Sequence, residues 1–194
     1  MERLFLAWVA SLAAASWVGI TLAEAGVFTI APVLVAAALA AAVVLVVLRG
    51  APPLVASRGR VAVPLVALAL TATLWPTVDT TLLSQDASIH RASGRWLAKS
   101  GGLGIPDDSF AGLSEDDRLQ LFGGASVSPQ RMSLTRLPGG VVLPDLTGTV
   151  AYPSFSHLLA VWVAIAERVG GERAIAVLGP LFAATAWWAI GLLA

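Results

Sequence analysis

Cysteine and asparagine are both missing from this chain of 194 residues, and lysine occurs once, as Lys99. Without cysteine there are no disulfides, thiolate metal sites or thiol nucleophiles. Without asparagine there is no N-glycosylation sequon. Charge is scarce as well: 12% of residues carry one, against about 25% in ordinary soluble domains. The twelve bases balance the twelve acids, so no net positive charge argues for a nucleic-acid partner. Near-exclusive use of arginine, with abundant Ala and Val, fits a GC-rich bacterial source.

What fills the space is apolar. Hydrophobic residues make up 57% of the chain, and the mean hydropathy is +0.82, which places it in a membrane class. Leu4 to Ala23 is a run without charge, long enough to cross the roughly 30 Å hydrocarbon core. Ala23-Glu24-Ala25 resembles a signal-peptidase site, but the run exceeds an h-region and a second apolar helix starts at Val27, so an uncleaved span is expected. Val27 to Leu48 is the second span. Arg49, Arg58 and Arg60 follow beside Pro52-Pro53, and the positive-inside rule puts that loop and Arg3 in the cytoplasm. Val61 onward gives a third span, anchored near Trp75.

The expected architecture is an all-α transmembrane chain of about five spans. Residues 1–76 hold three N-terminal transmembrane helices, and 77–153 form an extracytoplasmic loop. Two further spans occupy 154–194, from Phe155 to Val169 and from Ala174 to Ala194. A short cytoplasmic turn joins them at Gly170-Gly171, flanked by Glu167, Arg168, Glu172 and Arg173. The chain is expected to be the N-terminal piece of a longer protein of the bacterial plasma membrane.

Within the loop, Asp86 to Ser100 reads as a helix ended by Gly101-Gly102. Ile89, Ala92 and Trp96 share one face, and Arg91, Arg95 and Lys99 another, a pattern suited to lying in the membrane interface with the apolar face down. Ser114 and Asp117 are spaced as a capping box. Residues 131–137 and 141–143 around Pro138-Gly-Gly read as a β-hairpin.

From Asp86 the loop resembles the GT-C superfamily of polytopic glycosyltransferases, in its protein mannosyltransferase and aminoarabinose transferase branches. The resemblance rests on Asp86, His90, Gly94, Leu97 and Gly101 at the spacing D-x-x-x-[YH]-x-x-x-[AG]-x-x-[LI]-x-x-x-G, and on Tyr152-Pro153 with His157 ahead of the next span. It covers only an N-terminal part of such enzymes. This chain has Ala87 where many relatives have a second acid, and His90 at the usual aromatic position.

The resemblance implies sugar transfer from a polyprenyl-phosphate donor on the extracytoplasmic face, with Asp86 as general base. A carboxylate within hydrogen-bond reach can take the acceptor's proton as it attacks the anomeric carbon; the same aspartate could equally cap the helix. His90, Arg91, Arg95, Tyr152 and His157 are the candidate substrate-binding residues. Against each stands a plainer role: a polar face for His90, headgroup contacts for the arginines, an interfacial anchor for Tyr152. The acids Asp107, Asp108, Glu115, Asp116 and Asp117 lack the spacing of a calcium loop, Asp145 is a weak second acid, and no local cluster points to a metal. The expected partners are membrane lipid and a polyprenyl-phosphate-linked sugar. The alternative is a non-enzymatic membrane protein, a transporter or assembly subunit with an external loop.

Overall fold

The computed structural model describes residues 2–52, 85–106, 112–114, 116–117, 135–137, 141–143, 150–153 and 156–193. The third expected span lies outside them. In chain order the described elements are α1 (Glu2–Glu24), α2 (Ile30–Val47), α3 (Gln85–Ser100), β1 (Ile105–Pro106), β2 (Thr135–Leu137), β3 (Val141–Leu143), β4 (Val150–Pro153) and α4 (His157–Leu193). Helices α1, α2 and α4 are long and apolar enough to cross a membrane. The chain divides into two compact units: 1–21, 29–78 and 165–194 in the first, 22–28 and 79–164 in the second.

In the first unit α1 and α2 pair as an antiparallel hairpin. The Ser11 hydroxyl donates to the Ala37 carbonyl across the pair at 3.0 Å. At one end the Arg3 guanidinium donates to the carbonyl of Arg49 at 2.9 Å and to that of Ala51. Pro32 sits in the first turn of α2, where a missing N–H breaks no helical bond. Leu34, Val35, Leu39, Val43, Val46 and Val47 stay exposed on α2, an apolar surface that hydrocarbon rather than water would cover.

The helical run α4 is broken at Gly170 (φ −159°, ψ 17°) and Gly171 (φ 59°, ψ −143°). Gly171 combines a positive φ with an extended ψ, a conformation open essentially to glycine. The arm 172–193 packs on α1. The Phe5 and Trp188 rings meet at 5.3 Å, and the Trp8 indole donates to the Thr185 hydroxyl at 3.0 Å. These two contacts run in opposite directions along the two helices, so the pair is antiparallel, and at the same stagger Glu172 stands level with Thr21.

By this stagger the Gly170-Gly171 turn lies toward the end of α1 away from Arg3. The arm 157–169, where the fourth span is expected, is about 20 Å long, and Ala160, Val161, Trp162, Val163 and Ala164 within it are buried. The arm 172–193, about 33 Å long, is the part of α4 with the length of a span.

The second unit has a four-stranded antiparallel sheet in the order β1-β4-β3-β2. The expected hairpin is present as β2 and β3, with Thr135 opposite Leu143 and Leu137 opposite Val141. Strands β1 and β4 extend it, with Ile105 opposite Ala151. The capping box is formed: the Ser114 hydroxyl donates to the Asp117 carboxylate at 2.6 Å, and the Asp117 N–H returns to the hydroxyl at 3.1 Å.

Candidate functional site

Helix α3 carries most of the candidate residues, and its packing differs from the amphipathic pattern. The buried residues are Ser93, Gly94, Leu97 and Ala98, while Ala92 is exposed. Small side chains decide this. A Cβ on Gly94 would overlap the Val163 side chain and stand 2.7 Å from the Ala160 carbonyl oxygen, so only glycine lets α3 and the arm 157–164 come this close. The protein-covered side of α3 is therefore the one with Ser93, Gly94, Leu97 and Ala98, beside the face of Ile89, Ala92 and Trp96.

The end of α3 is fixed by a left-handed glycine. Gly101 has φ +81°, and its N–H donates to the Leu97 carbonyl at 2.9 Å, an αL cap. The Trp96 indole donates to the Gly104 carbonyl at 2.8 Å and holds the chain as it enters β1.

The turn between α1 and α2 docks on this cap. Its own geometry is a Schellman motif: Gly26 (φ +73°) donates to the Ala23 carbonyl and Val27 to that of Leu22, the bond pattern that satisfies a helix's last carbonyls. The Phe28 N–H then donates to the Gly101 carbonyl at 2.8 Å, and the Phe28 side chain is 2% exposed. Residues 22–28 are thus part of the second unit's core and not merely a link between two spans.

This docking sets Glu24 beside His157. The Glu24 Oε1 lies 3.6 Å from the His157 Nδ1, within ion-pair range. His157 is the first residue of its helical arm, where the positive end of the helix dipole favours a carboxylate nearby. The histidine side chain keeps 28% of its surface open and Glu24 59%.

The remaining candidates are placed as follows. Asp86 falls in the first turn of α3, and by helical periodicity in line with His90, Ser93 and Leu97; its side chain is outside the described residues. His90 and Arg91 are half-buried and Arg95 is exposed. Tyr152 is exposed on β4 and passes over Gly104, where a Cβ would stand 3.4 Å from its ring. His157 is set against a carboxylate, and that partner, Glu24, belongs to a stretch whose sequence alone suggests only a tight turn. One signal for Glu24 is in the sequence: an acid on the last turn of α1 opposes the helix dipole, a placement that a cationic or hydrogen-bonding neighbour would offset. Among the described residues no group of three His, Cys, Asp or Glu could hold a metal ion.

Comparison with protein-family models, curated proteins and solved structures found no match to this chain.

Proposed function

We propose that the chain is part of an integral membrane glycosyltransferase of the GT-C type. It would move a sugar from a polyprenyl-phosphate donor to an acceptor on the extracytoplasmic face of a bacterial plasma membrane, with Asp86 as general base. The observation that carries this reading is the position of Asp86 on α3. It stands in line with His90, Ser93 and Leu97, on the stripe that includes the helix's buried positions. The motif's other positions have structural roles that fix this helix: Gly94 permits close packing, Leu97 is fully buried and Gly101 forms the cap.

The transporter alternative has less support. The hydroxyls of Ser11, Ser16, Thr21 and Thr185 each donate to a carbonyl one turn back. Ion-translocating helices instead carry ionisable residues near the bilayer centre, and α1, α2 and the arm 172–193 have none within their interiors.

The test is replacement of Asp86 by Asn in the full-length protein, with transfer from a radiolabelled polyprenyl-phosphate sugar measured in membranes. Loss of a general base is expected to lower turnover by about 100-fold or more. Retained activity removes Asp86 from the mechanism, and no transfer by the unaltered protein from any such donor removes the reading.

A further inference from the structure

We propose that Glu24 and His157 form a carboxylate–imidazole dyad that presents a proton-accepting nitrogen to a hydroxyl compound, water or an alcohol. Glu24 is the positioning residue and His157 the acceptor. The geometry is directional. Glu24 Oε1 faces Nδ1 at 3.6 Å, and a carboxylate at that nitrogen favours the tautomer with the proton on Nδ1. The lone pair is then on Nε2, across the ring.

Nε2 is the ring nitrogen that Glu24 does not face, and 28% of the His157 side chain is open. The backbone holds the two residues from opposite directions. The Schellman turn at Gly26 and the Phe28 bond to Gly101 fix Glu24, while burial of Ala160 to Ala164 fixes the helix that begins at His157. A separation slightly beyond hydrogen-bond length is common in sites without substrate and shortens when the complex forms.

The step balances simply. The hydroxyl proton moves to Nε2, the O–H electron pair stays on oxygen as it attacks, and the imidazolium formed is stabilised by the Glu24 carboxylate. In the glycosyltransferase reading, on which the choice of an alcohol acceptor rests, the dyad is a second proton acceptor beside Asp86.

The test reads the tautomer without substrate, so its failure is distinct from failure of the transfer reading. The chain has two histidines, so the full protein carrying His90→Gln, with ¹⁵N-labelled histidine in lipid nanodiscs, gives the signals of His157 alone. At a pH where the ring is neutral, the Nδ1–H form is expected to predominate, and Glu24→Gln to shift the population toward Nε2–H. Glu24→Asp, which keeps the carboxylate, should retain the Nδ1–H form and serves as the folding control. Predominance of Nε2–H in the protein with Glu24 intact overturns the proposal, and so does a population unchanged by Glu24→Gln.

Discussion

Gly94 and Val163 are packed so closely that the methyl group of an alanine at position 94 would occupy the space of the Val163 side chain. The contact joins α3 to the arm 157–164 and is the tightest approach within the second unit among the glycines described. Gly94→Ala gains helix propensity of about 1 kcal/mol but forces the helices apart, which costs about 1–3 kcal/mol. The expected net result is a lower unfolding midpoint in detergent. Ala92, exposed on the same helix, should accept Ser with little change.

The two left-handed glycines that end α1 and α3 should behave alike. Gly26→Ala and Gly101→Ala each place a Cβ in an αL backbone, at a cost of about 1–2 kcal/mol. Asparagine, which tolerates this region better, should cost less at both positions. Gly50, with no atom near its would-be Cβ and no positive φ, is the comparison site, and thermal unfolding of the three alanine variants measures the difference.

The stagger of α1 against the arm 172–193 makes a topological prediction. If Arg3 and Arg49 face the cytoplasm, a single cysteine replacing Glu172 should react with a membrane-impermeant maleimide added outside intact cells. A cysteine replacing Arg49 should react only after the membrane is opened. No background thiol interferes, since the chain has no cysteine. Labelling of position 172 only from the inside would restore a cytoplasmic turn and contradict the antiparallel register.

Phe28→Ala tests whether the tip of the first hairpin belongs to the second unit. Removing a fully buried phenylalanine costs about 3–5 kcal/mol. If Phe28 were a lipid-facing linker residue, the change would be nearly silent. Limited proteolysis of the loop region is the measurement, and faster cleavage in the variant is the expected outcome.

Local signals were legible where one stretch of sequence was enough to determine the structure. The apolar runs of α1 and α2, the glycine end of α3, the Ser114–Asp117 box and the β2–β3 hairpin all depend on residues close in sequence. What was missed depends on distant partners. The packing of Val163 and Ala160 against Gly94 leaves no mark in the hydropathy of the run from His157 to Val169. Ser93 and Gly94 are neutral on a helical wheel, yet their small size decides which face of α3 is covered. Strands β1 and β4 are too short to carry a pattern and exist through pairing. His157 stands out in the sequence from its place after Tyr152-Pro153, but its partner Glu24 lies far back in the chain.

The hairpin tip at residues 22–28 also imposes an order on biogenesis. It leaves the ribosome early, carrying Phe28 and the Gly26 turn, while the arm 157–164 that completes the same core is made much later. The loop region therefore cannot mature as an independent module: its first strut is made before the remainder, and its last is delivered with the helix that follows. Synthesis of the loop without residues 22–28 should leave the Gly101 carbonyl and the Phe28 pocket uncovered, a species prone to aggregation rather than a smaller folded domain.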